Sequence, residues 1–175
     1  MLMKSLVATL AYQNDDLLIK FREFYSFSDE DLEFIFTELK TWLWIKALQA
    51  HKKIASPEDE SLYFHFHVLP SLRVIDELWH VFILFTAEYR AFCQEYFGVY
   101  VDHTPSLPHR KLSDPEYRTD LEKEFYFIYQ HLGPATLELW MHDLGERFPE
   151  SLINSKYIYR GFAAGGSPVT LENRP

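Results

Sequence analysis

The apolar positions of this chain recur mostly at helical spacing. Leu32, Ile35, Phe36, Leu39, Leu43 and Ala47 follow one another at intervals of three and four, the stripe of a helix with one buried face. Ser28 stands ahead of them and is followed by Asp29, Glu30 and Asp31. A serine cap followed by acids in the first turn suits a helix start, whose free N–H groups attract negative charge. The spacing predicts a helix over 28–51. Upstream, residues 5–13 read as a short apolar helix. Asn14, Asp15 and Asp16 cap a second, with Leu17, Leu18, Phe21 and Phe24 on its face.

After a polar loop at 55–61, residues 62–69 fit a strand or a helix. Pro70 suits a first helical turn, where its missing N–H costs nothing. Residues 98–115 carry Pro105, Pro108 and Pro115 and read as loop. Asp114-Pro115-Glu116 opens a helix that runs to about 131, where Gly133 ends it. Pro134 opens another to about 147, and residues 153–159 are a short helical or extended piece. The expectation is a compact all-α single domain of five to seven helices over 1–160, with a loop-rich segment after Gly98 and a mobile tail over 161–175.

The helix after Pro70 carries an unusual mixture. From Val74 to Cys93 the chain has 14 apolar residues, yet it includes Asp76, His80 and Cys93. At ~100° per residue, Ile75, Leu78, Trp79, Phe82, Phe85, Tyr89, Phe92, Cys93 and Tyr96 share an arc of roughly 140°. Asp76 and His80 are neighbours at i and i+4 on an adjoining face. A carboxylate beside an imidazole can orient it, raise its basicity or share a metal with it. On a straight helix Cys93 lies ~20 Å from His80 along the axis and points ~140° away. The two can share a site only if the chain folds back near Phe85-Thr86, where Thr86-Ala87-Glu88 offers a cap and restart. The unbroken phase of the apolar arc favours one straight helix, so the bend stays an open question at this point.

Composition narrows the functional classes. A net charge of −9 argues against nucleic-acid binding, which needs clustered Lys and Arg, and weakly against anionic membrane surfaces. His109-Arg110-Lys111 is the one short basic run. No apolar run reaches the ~18 residues of a membrane span, and the N-terminal apolar stretch reads as the first helix rather than a signal peptide. The single cysteine forbids an intrachain disulfide and points to a reducing, cytoplasmic setting. Apolar residues at 47% and aromatic ones at 17% supply enough side chain for a large core.

Other candidates have plain readings beside them. His65-Phe66-His67 would aim both imidazoles one way on a strand, as metal sites require, but would splay them on a helix. Cys93 alone is a small core hydrophobe, since a nucleophilic thiol needs a base and an electropositive setting. Trp42, Trp44, Trp79 and Trp140 are packing residues, with an interface role second. The sequence has no phosphate-cradling glycine loop, CxxC, HExxH or GxSxG.

Asp76-Glu77-Leu78-Trp79-His80, Ile83-Leu84, Thr86, Tyr89, Phe92-Cys93, Phe97-Gly98 and His103-Thr104-Pro105, preceded by Leu69-Pro70-Ser71, resemble the glycine-rich domain-containing protein-like family over residues 69–105. The resemblance singles out Asp76, His80, Cys93 and His103 as a set with metal-ligand chemistry. Plant members can carry proline where this chain has Thr86, which implies that a bend there is tolerated. Many relatives have a histidine in place of Phe82 and a second one in place of Asp102, so an imidazole-rich version of the site would be incomplete here. Asp102 would offer an oxygen ligand instead. The glycine-rich tail survives only as residues 161–166. The resemblance brings no activity with it.

These readings lead to a helical domain that binds zinc or another divalent metal through some of Asp76, His80, Cys93 and His103, in a structural or sensory role. The alternative is a metal-free domain that docks an unidentified protein partner on an aromatic surface. A thiol- or metal-dependent hydrolase is the remote third reading, and no residue is assigned a catalytic role.

Overall fold

The structure, a computed structural model, describes residues 3–104, 113–158, 161–162 and 168–169. It is all-α, as the apolar spacing predicts. The elements are α1 (Leu6–Leu10), α2 (Asp15–Arg22), α3 (Asp29–Ala55), α4 (Arg73–Leu84), α5 (Thr86–Phe92), α6 (Asp114–Leu132), α7 (Pro134–Glu138), α8 (Leu144–Arg147) and α9 (Glu150–Lys156). A π turn, Cys93–Phe97, continues α5, and another, Leu139–Asp143, joins α7 to α8. Among the described residues these elements therefore make eight rods. No helix of the described residues is long and apolar enough to cross a membrane. Residues 161–162 pair antiparallel with 168–169. The rest of the expected tail, and the basic run at 109–111, lie outside the described residues.

The long helix α3 forms the centre of the molecule. Ser28 caps it, its Oγ accepting from the Asp31 N–H at 3.2 Å. Leu32, Ile35, Phe36, Leu39 and Leu43 are fully buried, as the stripe predicts, and Trp42 and Ile45 join them. Neighbours on several sides also bury polar positions, and each of these finds a partner. Lys40 donates to the carbonyls of Leu10 and Tyr12 at 2.7 and 3.0 Å, so it closes the end of α1. Gln49 donates to the carbonyls of Leu62 and Phe64 at 2.8 and 3.0 Å and holds the irregular segment 63–69 against α3. A buried polar group without such partners would be costly.

The helix after Pro70 begins with a 3-10 turn, Pro70–Leu72, and breaks at Phe85. The backbone of Phe85 (φ −81°, ψ 62°) lies outside the helical region, and Thr86 starts α5. The chain thus bends where the sequence left the question open. Leu84, 68% exposed, sits beside this corner. At the far end Gly98 takes φ +70°, a left-handed conformation that glycine adopts without steric cost. Its N–H bonds the Cys93 carbonyl at 3.0 Å. This turn sends residues 99–104 back along α4. The start of α6 differs by one position from the sequence reading. Ser113 is the cap, and Glu116 accepts from its N–H at 2.9 Å.

Candidate metal centre

Two elements meet to build the site. On α4, Asp76 and His80 stand one turn apart on a face adjoining the buried one. The returning segment 99–104 adds His103. Its register is fixed by a buried chain of hydrogen bonds: Trp79 Nε1 donates to the Tyr89 hydroxyl at 3.0 Å, and that hydroxyl donates to the Val101 carbonyl at 2.6 Å. Trp79 and Tyr89 are each 1% exposed, so water does not compete for these bonds. Two residues beyond Val101, the His103 ring lies against Trp79 with centroids 4.2 Å apart. It also stacks on His80 at 4.7 Å.

The two histidines converge on one carboxylate. His103 Nε2 lies 2.8 Å from Asp76 Oδ1, and His80 Nε2 lies 3.6 Å from Asp76 Oδ2. One ligand atom from each of the three residues lies within 4.8 Å of the other two. Ligands sharing a tetrahedral zinc stand about 3.4 Å apart, given bonds of 2.0–2.2 Å, so small side-chain rotations would close the set around an ion. Asp76 and His103 are largely buried, while His80 is half exposed. The site therefore opens to solvent on the His80 side. Glu77 flanks it, its Oε2 4.0 Å from His80 Nδ1.

Cys93 does not share this site. Its sulfur is outside the group of mutually close ligand atoms, although the bend at Phe85 does occur. The thiol is 1% exposed, and burial pushes its pKa up, with Tyr89 and the Val101 backbone only partly offsetting this. It is the protonated core side chain of the plain reading rather than a thiolate ligand. Asp102 is exposed and also outside the group. Of the four residues the sequence singled out, the structure brings together Asp76, His80 and His103.

His65 and His67 join no such group. The irregular segment that carries them lies against α6, which meets both imidazoles with carboxylates at i and i+4. Asp120 Oδ2 lies 2.8 Å from His65 Nδ1, and Glu124 Oε2 lies 2.9 Å from His67 Nδ1. The same carboxylates accept from the two backbone N–H groups. Glu124 is fully buried, and burial raises its pKa despite the bonds from His67. Sequence reasoning missed both partners, because they are 55 and 57 residues away. A third cluster, His142, Asp143 and Glu146, also has mutually close ligand atoms but is wholly exposed on α8 and the π turn before it.

The UCP032817-like family matches residues 5–127. The chain belongs to that family. The match spans α1 and most of α6, so it includes Asp76, His80, His103 and the carboxylates of α6. No curated protein and no solved structure matches the chain.

Proposed function

We propose that this member of the UCP032817-like family is a helical domain that holds a divalent transition metal through Asp76, His80 and His103. The observation that carries the reading is the approach of two Nε2 atoms to the two oxygens of one carboxylate. Two imidazoles and one carboxylate suit zinc or iron(II) better than calcium or magnesium, which prefer all-oxygen shells. Three protein ligands leave coordination positions free on the half-exposed His80 side, where water or a small ligand would bind. A structural or sensory role fits a site built on two elements that the metal would tie together. The likeness of residues 69–105 to glycine-rich domain-containing proteins belongs to this same proposal.

The test is a metal titration of chelator-stripped full-length protein, with cobalt(II) absorption as the probe and zinc as competitor. One ion per chain is expected, lost in His80→Ala and His103→Ala. Stoichiometry below about a tenth of an ion per chain would overturn the reading, because a built site should be close to full.

One observation supports the metal-free interaction reading. Tyr126 and Tyr129 on α6 are 65% and 48% exposed. Tyr126 borders a surface cavity of about 400 Å³ between α6, the end of α3 and the turn at 60–62. Exposed tyrosines of this kind are common at interfaces.

A further inference from the structure

The cavity of about 400 Å³ beside Tyr126 has a lining that changes character along α6. Residues 122, 126 and 130 follow one another at intervals of four on one ridge of the helix, and 123, 127 and 131 do so on the next. Glu122 and Lys123 thus stand at one end of the cavity, Tyr126 and Phe127 in the middle, and Gln130 and His131 at the other end. Eight residues of helix separate the two ends by ~12 Å. Lys52 of α3 belongs to the His131 end, where its charge bears on that ring. Leu62 and Phe127 are 7% and 6% exposed, so they give the cavity an apolar floor beneath its polar walls.

The polar groups at the two ends are in different states. At the first end most are already engaged. Lys123 donates to the carbonyls of Glu60 and Tyr63 at 2.9 and 3.4 Å. Asp59 accepts from the N–H and the hydroxyl of Ser61 at 3.0 and 2.6 Å. Glu122 alone keeps an unspent carboxylate there among the described residues. At the second end Lys52, Gln130 and His131 have no hydrogen-bond partner among the described residues. The His131 ring is held only by an edge contact to Phe127, with centroids 4.4 Å apart. Burial and the Lys52 charge lower the His131 pKa, so this ring adds a neutral N–H rather than a second cation. One ammonium, one amide and one imidazole beside an apolar floor suit a single negative charge on an apolar body. A second negative charge reaching toward the first end would meet Asp59 and Glu122.

We infer that this cavity binds a small aryl carboxylate. The carboxylate accepts from Lys52, with Gln130 and His131 beside it. The ring lies over Phe127 and Leu62, and Tyr126 forms its outer wall. A hydroxyl on the far side of the ring donates to Glu122. The volume falls within the range of small-molecule sites, ~300–1,000 Å³, and accommodates a fused bicyclic ring. The inference rests on neither the metal site nor a protein partner.

The experiment titrates the full chain with 6-hydroxy-2-naphthoate, whose carboxylate and hydroxyl stand at opposite ends of a rigid, fluorescent ring system. Saturable one-to-one binding is expected, with a Kd below about 1 mM. The neutral carboxamide of the same compound should bind at least about tenfold more weakly, because charge-assisted hydrogen bonds are the strong ones. Lys52→Gln should weaken the carboxylate by a similar factor, whereas Lys20→Gln, outside the cavity, should bind it as wild type does. The histidine resonance missing from His131→Gln should titrate at higher pH once the ligand is saturating, since a nearby carboxylate favours the imidazolium. An absence of saturation, equal binding of the carboxamide, unchanged affinity in Lys52→Gln or an unmoved His131 resonance would each overturn the inference. The carboxamide comparison needs only the wild-type protein, so it decides the matter even if a variant fails to fold.

Discussion

Asp76 Oδ1 and His103 Nε2 lie 2.8 Å apart across 27 residues of sequence. Everything between them serves to close that distance. The chain breaks at Phe85, turns through a π turn at 93–97 and reverses at Gly98. It then runs back with Val101 tied to Tyr89. Asp76 is the hub, because it also faces His80 on its own helix.

Asp76→Ala should therefore weaken zinc binding more than loss of either histidine, because it removes the group that draws the two imidazoles together. We expect a loss of more than about a hundredfold, given that outer-sphere partners alone are worth 10–100-fold. Competition against a chromophoric chelator measures it. A change of less than about threefold, in a range where simple surface effects lie, would place the metal elsewhere.

Cys93→Ala separates the geometry from the family resemblance. The thiol is buried beside Tyr89 and outside the ligand group. Metal stoichiometry and affinity should stay at wild-type values. Stability should fall by about 1 kcal/mol for the small cavity left behind, read by urea denaturation. Loss of the ion in this variant would return Cys93 to the site.

The sequence carried the frame of this structure further than it carried its pairings. The α3 stripe, the Ser28 cap and the Asp76–His80 neighbourhood depend on helical periodicity, which is local. The bend at Phe85 was visible only as a competition between Thr86-Ala87-Glu88 and an unbroken apolar phase. The phase was misleading because α5 keeps its own buried face, with Tyr89 and Phe92 inside, after the break. Cys93 looked like a ligand through its company in the motif, whereas its place on the core arc already gave its burial. The carboxylates for His65 and His67 were out of reach, since Asp120 and Glu124 look like ordinary helix-surface acids until α6 docks. Lys46, whose ammonium lies among the rings of Trp79, Phe66 and Trp42, had one legible sign. It follows Trp42 by four residues, and so shares a helix face with a residue 1% exposed.

Tyr89→Phe tests whether the buried relay positions His103. The change removes one oxygen, and leaves the Trp79 N–H and the Val101 carbonyl without their partner. Two unpaired buried groups should cost about 2–4 kcal/mol. With all three ligands still present, zinc affinity should also drop, by about tenfold, as segment 99–104 loosens. Equal destabilisation with unchanged affinity would mean that Trp79 stacking alone holds the His103 ring.

Lys46→Met should make stability less dependent on alkaline pH. In the folded chain burial lowers the Lys46 pKa from 10.5 to about 8. A depressed folded pKa means that the stability tied to this group is full above the unfolded value and is lost as pH falls through 8. Wild type thus bears the whole cost of a desolvated ammonium below about pH 8. It sheds that cost progressively between 8 and 10.5. Methionine keeps the length of the stem and never carries the charge. Below pH 8 the variant should be the more stable protein, by roughly 1–3 kcal/mol. The upper end follows from about 1.4 kcal/mol per pKa unit, reduced because the amine keeps some solvent contact and loses its aromatic attraction on substitution. The gap should shrink steadily toward pH 10.5. Thermal melts of both proteins at pH 7 and pH 10 measure it, each carrying the same other titrations. A gap of constant size across that range would mean that Lys46 stays charged throughout and that its amine is ordinary.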